Sequence, residues 1–206
     1  MDKISELKRI LGENLTWNKA RLDCLVRMLM ALFAVRTVNL SELAVAFASK
    51  AEKESRYKRL QRFFASFKID YTLIARFIFR LFFSDTQKVY LTMDRTNWYW
   101  GKQKINIFML GVAYEGIAIP LFWTCLPKAG NSNIKEQKAL INRYLKSFGT
   151  TQILGLLADR EFGSGGLFNW LNKKKIPFYI RIKEGSLTYI NKKKLFTAKK
   201  SRIQGF

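Results

Sequence analysis

Two aspartates at the ends of apolar runs are the clearest candidates for chemistry in this sequence. Asp94 follows the run Val89 to Met93, and Asp159 follows the run Ile153 to Ala158. If these runs are neighbouring parallel strands, both carboxylates emerge at one end of a sheet, where α/β proteins bind ligands. Adjacent carboxylates repel each other unless they share a cation, and Mg²⁺ or Mn²⁺ with phosphate oxygens meets that need. The pair predicts metal-assisted phosphoryl transfer; a turn cap paired with the neighbouring arginine would explain each aspartate equally well.

The composition excludes several other kinds of catalytic site. The chain has 206 residues, no His and only two Cys, at positions 24 and 125. Ser-His-Asp triads, Cys-His pairs and four-ligand zinc sites therefore cannot be assembled. Two distant cysteines also argue against a disulfide framework, and the chain does not open with a signal-like segment, so we expect an intracellular protein.

The charge balance indicates the kind of partner. Lys and Arg number 37 against 15 Asp and Glu, which gives a net charge of +22 and a pI near 10.2. A surplus of this size favours a partner with dense negative charge, and nucleic acid is the usual one.

One segment is long and apolar enough to raise the alternative of a membrane span. Residues Ile105 to Pro127 contain a single charge, Glu115, near the middle. A carboxylate at the centre of a bilayer would cost about 2.5 to 3.5 kcal/mol on insertion scales. The β-branched and aromatic residues around Glu115-Gly116 instead predict a buried β-hairpin, and we expect no membrane partner.

Residues 1–84 carry helical signals and are expected to form a helical region that binds DNA. Thr16 can cap a helix that continues to Val35, with the 3-4 spaced apolar residues Leu22, Leu25, Val26, Leu29, Leu32 and Phe33 on its buried face. Asn39 or Ser41 can cap a short second helix, Glu42 to Ala48.

A third helix, Ser55 to Phe67, is predicted to have one aromatic face and one cationic face. Its apolar side carries Tyr57, Leu60, Phe63, Phe64 and Phe67. Its opposite side carries Lys58, Arg59 and Arg62, which we expect to contact DNA phosphates or the major groove.

From residue 85 onward the pattern changes to short strands and predicts an α/β fold. Three strands, Val89 to Met93, Ile105 to Tyr114 and Ile117 to Cys125, should form an antiparallel meander. A helix, a strand ending at Asp159, a second helix capped by Ser164 and a strand from Phe178 to Ile182 should follow. We place the domain boundary at Ser84 to Gln87.

The two aspartate blocks resemble a known family of enzymes. Asp94-Arg-Thr-Asn-Trp98 and Ala158-Asp-Arg-Glu-Phe-Gly163 are similar to the first two catalytic blocks of bacterial DDE insertion-sequence transposases. The group in question has a ribonuclease-H-like core and a third block of the form Tyr-x2-Arg-x3-Glu-x6-Lys. In that core three antiparallel strands come first, and a fourth strand, with the second Asp, lies beside the first.

The resemblance implies a function in DNA transposition. Asp94 and Asp159 would be catalytic residues that hold Mg²⁺ or Mn²⁺, and the activity would be DNA phosphodiester hydrolysis and strand transfer. The partners would be double-stranded DNA at transposon ends and a second copy of the chain in a synaptic complex. The location would be the cytoplasm, at the nucleoid.

The sequence departs from this family at the third block. No Tyr is followed by Arg at +3 and Glu at +7, so we expect an incomplete ribonuclease-H-like mixed sheet core at residues 85–206, truncated before the block and inactive alone. A weaker alternative is that Glu161 or Glu184 supplies the third carboxylate. The rival functions are a non-catalytic DNA-binding derivative, which occupies transposon ends or inhibits a full-length transposase, and a basic RNA-associated protein.

Two further features bear on nucleic-acid binding. The tract Lys173, Lys174 and Lys175 opens a C-terminal stretch with 11 basic residues and one acidic residue, which favours a surface that follows phosphates. Trp98 and Trp100 could stack on bases, but aromatic residues beside a strand end are more often core, and we expect these two to be buried.

Overall fold

The computed structural model describes residues 3–182, 187–190, 193–197 and 202–205. It has two compact units, residues 1–73 and 74–206. The predicted boundary at Ser84 to Gln87 lies later in the chain, after Phe79 and Phe83, which belong to the core of the second unit.

The first unit is helical. Its helices are α1 Lys3–Asn14, α2 Lys19–Val35, α3 Leu40–Ala46 and α4 Lys53–Ser66, and α5 Tyr71–Phe82 runs on into the second unit. Asn18 caps α2, since its side chain accepts from the Arg21 N–H, so the predicted cap at Thr16 is wrong. Asn39 caps α3, as one of the two predicted caps.

A small apolar core joins α2, α3 and α4. Its fully or largely buried members are Cys24, Met28, Ala31, Leu43, Ala44, Phe47, Leu60 and Phe63. Two residues predicted for buried faces are not in it, because Phe33 is 78% exposed and Phe64 is 55% exposed. The buried side of each helix is therefore narrower than the apolar pattern predicts.

The second unit contains a mixed six-stranded sheet, which confirms the predicted α/β fold. Its strands are β1 Val89–Trp100, β2 Gln103–Tyr114, β3 Ile117–Cys125, β4 Ile153–Ala158, β5 Phe178–Arg181 and β8 Arg202–Gly205. Between β5 and β8 in the chain, β6 Leu187–Ile190 and β7 Lys193–Thr197 form a separate two-stranded sheet. The strand order of the six-stranded sheet is β3-β2-β1-β4-β5-β8. The first three strands are antiparallel and β4 runs parallel beside β1, which is the order that the transposase resemblance implies.

The apolar segment Ile105 to Pro127 is the predicted hairpin of β2 and β3. Glu115 and Gly116 both have positive φ, at 45° and 85°, as a two-residue hairpin turn of type I′ requires. Within the described residues, no single helix is long and apolar enough to cross a membrane, although α2 and α3, bent by 100°, pass the length and composition test together.

Helices cover one face of the sheet. Besides α5, these are α6 Ile134–Phe148 and α7 Gly165–Lys173, and a short 3-10 helix, Arg160–Phe162, follows β4. Buried side chains at alternate strand positions, such as Leu91, Leu110 and Leu156, share one cluster with buried residues of these helices. The opposite face carries Tyr90 and Leu157, which remain partly or largely exposed.

Candidate functional site

The parallel pairing of β1 with β4 brings the two predicted catalytic aspartates to neighbouring positions. β1 and β4 pair in parallel, with Met93 opposite Ala158. Asp94 is the next residue of β1, and Asp159 is the residue directly after β4. The backbone thus sets the two residues side by side at one end of the sheet, as the apolar runs predict.

The two aspartates lie on the sheet face opposite the helices. Side chains alternate along a strand, and Met93 and Arg95 both point to the helix-covered face. Asp94, between them, therefore points to the other face, where it is exposed. One of its carboxylate oxygens accepts from the Arg95 N–H at 2.7 Å.

Asp159 lies at the mouth of a shallow pocket on the same face. The pocket has a volume of about 370 Å³ and is lined by Leu157, Ala158, Asp159, Tyr179 and Arg181. The Asp159 carboxylate is 4.0 Å from the Arg181 guanidinium, and both side chains are more than half exposed. Arg181 is close enough to offset part of the repulsion between two adjacent carboxylates, but an exposed pair at this distance is weak.

The chemistry of this site fits a hard divalent cation in part. Two accessible carboxylates on adjacent strands are the oxygen donors that Mg²⁺ and Mn²⁺ take in proteins. Across the part of the chain that the structure describes, no group of three acidic or Cys side chains is arranged to hold a metal ion. The aspartate pair can therefore supply two ligands, and further ligands would have to come from phosphate oxygens or water.

Glu161 does not join the pair. Its carboxylate accepts two hydrogen bonds from the Arg95 guanidinium, at 3.0 and 2.9 Å, and Arg95 is only 9% exposed in this ion pair. The hydrogen bond to Glu161 raises the pKa of Arg95. Glu161 is only the weaker alternative for a third carboxylate, and its pairing with Arg95 holds it on the helix-covered side of the sheet. Glu184, the other alternative, lies outside the described residues.

Arg95 is also the centre of a polar network that the sequence analysis missed. It donates to Asn106 at 3.4 Å and to Asn131 at 3.1 Å. Asn106 is 2% exposed and donates to the carbonyl oxygens of Lys128 and Gly130. The network joins the loop before α6 and the turn after β4 to the middle of β1 and to β2. One signal was available, namely a single Asn inside the apolar alternation of β2.

The predicted DNA-binding residues of α4 have different surroundings. Lys58 is 64% exposed and lies 3.7 Å from Glu54, and Arg62 is exposed, with its Nε donating to the Lys58 carbonyl. Arg59 instead donates to the Asp23 carboxylate at 3.0 Å and to the Ala20 carbonyl at 3.2 Å. Arg59 therefore links α4 to α2, whereas Lys58 and Arg62 are exposed to solvent.

Asp23 is the acceptor that organises these cations. Lys8, Arg27 and Arg59 each donate to it, at 3.0, 2.9 and 3.0 Å. Burial alone would raise the pKa of Asp23, but hydrogen bonds from the three cations outweigh burial and hold this pKa well below its ordinary value. One carboxylate for three cations leaves the surroundings of Arg59 electropositive.

Two shallow hollows next to Arg59 share this positive charge. One, of about 480 Å³, is lined by Arg27, Lys50 and Arg59 together with Asp23 and small residues. The other, of about 300 Å³, includes Arg21, Arg59 and Arg62. Their cationic lining can accommodate anions such as phosphate groups.

The tract Lys173, Lys174 and Lys175 is exposed at the end of α7. Lys175 has a φ of 55°, in the left-handed region that often follows a helix. The three lysines form a solvated cationic corner of the second unit.

Comparison with known proteins adds no family name to this geometry. No protein-family model matches the chain, and a search of curated proteins finds no significant match.

Proposed function

We propose that the protein is a DNA-binding protein of the transposase type. In this proposal the helical unit binds double-stranded DNA, including transposon ends, through exposed cations of α4. Asp94 and Asp159 hold a DNA phosphodiester through a divalent cation, for strand cleavage and transfer.

The observation that carries this proposal is the register of β1 and β4. The register sets Asp94 and Asp159 next to each other on parallel strands, each directly after a paired residue. Ligands of α/β sheets bind at this end of the strands. The turn-cap alternative is not favoured, since the Asp159 side chain makes no capping hydrogen bond to the turn after β4 and Asp94 lies within β1.

The charge distribution supports DNA as the partner. The net charge of +22 far exceeds what solubility requires. Lys58 and Arg62 are available on an exposed helix face, and the hollows beside Arg59 add further positive charge. Such surfaces bind the phosphate backbone and release its counterions.

The residues at and beside the aspartate pair would have two different roles. Asp94 and Asp159 would hold Mg²⁺ or Mn²⁺, which when bound would supply electrostatic stabilisation of the transferring phosphoryl group. Arg95 and Glu161 would hold the turn after β4, so that the Asp159 carboxylate keeps its place beside Asp94. The exposed position of both carboxylates would let a phosphate oxygen reach the same cation.

A second candidate is a non-catalytic DNA-binding derivative that occupies transposon ends. It is favoured by the engagement of Glu161 with Arg95, which leaves two carboxylates at this edge within the described residues. Metal-assisted strand transfer of this type needs a third ligand, and the lack of one stabilising group costs a rate factor of about 10² to 10³. For the 206-residue chain alone we therefore expect DNA binding without cleavage.

The test is to incubate the purified chain with supercoiled DNA and Mn²⁺, next to Asp94→Ala and Asp159→Ala variants. Retarded but intact DNA with all three proteins supports the binding derivative. Nicking by the natural sequence that both substitutions abolish supports cleavage at the aspartate pair. Failure of the natural sequence to bind DNA at low salt would overturn both candidates.

A further inference from the structure

The first two strands of the sheet continue past their other neighbours. β4 pairs with β1 only as far as Met93, and β3 pairs with β2 only from Ile107 onward. The β1–β2 pairing continues to Trp100 opposite Gln103. Asn106 is still held, since its carbonyl accepts from the Leu126 N–H. Residues 98–105 therefore form a two-stranded projection from the sheet, here called the ribbon, and Asp94 lies four residues before it on β1.

Two large aromatic side chains are exposed on the ribbon. Trp98 is 54% exposed and Tyr99 is 68% exposed, so the prediction that Trp98 is buried is wrong. The Nζ atom of Lys104 lies 5.6 Å from the centre of the Tyr99 ring, which gives Tyr99 a cation–π partner. The Trp98 side chain makes no hydrogen bond or ring contact within the described residues, and its indole is exposed to solvent.

Trp98 shares a face with Asp94, and Tyr99 does not. Residues four apart on a strand point the same way, and adjacent residues point in opposite directions. At a rise of about 3.3 Å per residue, Trp98 lies about 13 Å from Asp94 along the strand. An indole at this distance is within a few nucleotides of a phosphodiester held at Asp94.

The charge of the ribbon matches a nucleic-acid strand. The ribbon has no acidic residue and carries Lys102 and Lys104, both exposed near its tip. Exposed aromatic rings among cations are the elements with which proteins hold unpaired nucleotides, because every base offers a π face for stacking. A base inside an intact duplex is already stacked and cannot offer that face.

We propose that Trp98 stacks on an unpaired DNA base within a few nucleotides of the phosphodiester held at Asp94 and Asp159. The inference rests on the proposed function, since it places the base on DNA bound at that edge. It goes further by specifying DNA with locally separated strands as the ligand of the ribbon. Lys102, in the turn at the tip of the ribbon, holds the backbone of the separated strand, whereas Tyr99 and its partner Lys104 lie on the other face and do not take part.

The experiment uses the full chain and two fluorescein-labelled DNA duplexes, one blunt and one with a splayed end of four unpaired nucleotides. Affinities come from anisotropy without divalent metal, so that cleavage cannot interfere. The variants are Trp98→Ala, Trp98→Phe and the adjacent, opposite-face control Tyr99→Ala. Circular dichroism and thermal unfolding check that each variant is folded. A third duplex has abasic sites in place of the unpaired bases.

We expect the natural chain to prefer the splayed duplex, and Trp98→Ala to weaken binding to it by about fivefold or more. Trp98→Phe should restore most of the affinity, and Tyr99→Ala should change little. Abasic sites should weaken the natural chain but not Trp98→Ala, because the stacking partner is already absent.

The other outcomes separate this inference from the proposed function. Normal binding of both duplexes with no effect of Trp98→Ala would overturn the stacking inference and leave DNA binding intact. Equal losses on the blunt and splayed duplexes would also overturn it, since they would indicate a general contact. If the natural chain binds neither duplex, the proposed function fails and the inference fails with it.

Discussion

At the scale of single residues, Asp23 has the largest electrostatic role in the helical unit. It lies on α2 and accepts from Lys8 of α1, Arg27 of its own helix and Arg59 of α4. The carboxylate side chain is 18% exposed, so solvent screens these contacts less than it screens a surface pair. One acidic residue therefore holds three helices together in a chain with a large excess of cations.

We expect Asp23→Asn to destabilise the helical unit by about 2 to 3 kcal/mol, because three cations lose their charged acceptor. Hydrogen exchange measured by mass spectrometry on peptides from α2 and α4 localises the effect to this unit. Glu54→Gln is the control, since its ion pair with Lys58 is exposed on both sides. Equal exchange in Asp23→Asn and Glu54→Gln would contradict the assignment.

The same carboxylate predicts a dependence on pH. The folded pKa of Asp23 lies below its ordinary value of 3.8, so the unfolded chain binds a proton more readily than the folded chain. Its stabilisation is present above that value and is lost as the pH falls below it. Asp23→Asn should remove this part of the acid sensitivity, which a comparison of unfolding at pH 3 and pH 6 can detect.

Substitution of Tyr144 is predicted to stabilise the protein, in contrast to substitution of Asp23. Its side chain is fully buried, and its hydroxyl has no hydrogen-bond partner within the described residues. Burial raises the pKa of this hydroxyl to about 12. Since an unpaired buried hydroxyl costs free energy, Tyr144→Phe should stabilise the second unit by about 1 kcal/mol, or about 2 to 4 °C in thermal unfolding. Tyr99→Phe, at an exposed ring, is the matched control and should be neutral; a clear loss of stability in Tyr144→Phe would reveal a partner.

At the scale of elements, the path of β4 depends on a residue without a side chain. A Cβ on Gly155 would lie 2.9 Å from the ring of Tyr179 on β5, and that ring is in edge contact with Tyr90 on β1. Gly155 thus allows an aromatic ring to lie across β4 on the face that carries the two aspartates. Because of this close approach, the packing of β1, β4 and β5 against one another depends on the absence of a side chain at Gly155.

Gly155→Ala should therefore cost about 1 to 2 kcal/mol in chemical denaturation, because the Tyr179 ring has to move. In the background of Tyr179→Ala the same substitution should cost much less. A double-mutant cycle measures this coupling directly. Additive effects of the two substitutions would mean that the ring and the glycine do not constrain each other.

Local patterns predicted most strand positions, and the exceptions have physical causes. The β2–β3 turn and the bounds of β3 and β4 follow from alternation and from Glu115-Gly116. β1 is longer than predicted, because pairing with β2 carries polar and aromatic residues that no buried face requires. In helices, a 3-4 apolar pattern gives the direction of the buried face but not its width. The pattern therefore predicts Phe33 and Phe64 as core residues, although both are exposed.

The candidate site was predictable only where strand ends determine it. Asp94 and Asp159 could be found because each ends an apolar run. Arg59 could not be distinguished from Lys58 and Arg62, since its pairing with Asp23 joins residues 36 apart in the sequence. Likewise, the pairing of Arg95 with Glu161 depends on the turn after β4, which helical and strand periodicities do not describe.

At the scale of the whole molecule, the net charge of +22 is distributed over both units. A total charge of this size attracts DNA from any direction, whereas a binding face depends on where the cations are held. Salt dependence separates the two, because each phosphate contact that is lost lowers the slope of log K against log salt by about 0.9.

We expect Lys58→Gln combined with Arg62→Gln to lower that slope by roughly 1.8, as two phosphate contacts are lost. The control removes the same charge from α6 through Lys135→Gln and Lys146→Gln, which are exposed positions on the second unit. Anisotropy titrations at about 50 to 200 mM KCl measure the salt slope of each double variant. If the two double variants lower the slope equally, total charge rather than the α4 face governs binding.

The position of β1 between β2 and β4 has a consequence for how the chain folds during synthesis. Its partner β2 follows at once, whereas β4 begins about fifty residues after β1 ends. At translation rates of about 5 to 20 residues per second, one edge of β1 stays unpaired for roughly 3 to 10 seconds until its parallel partner β4 is synthesised. An apolar strand edge that waits this long can pair with other chains. The β4-paired part of β1 ends directly before Asp94 and Arg95, and charged residues beside an apolar strand are the kind that discourage such pairing.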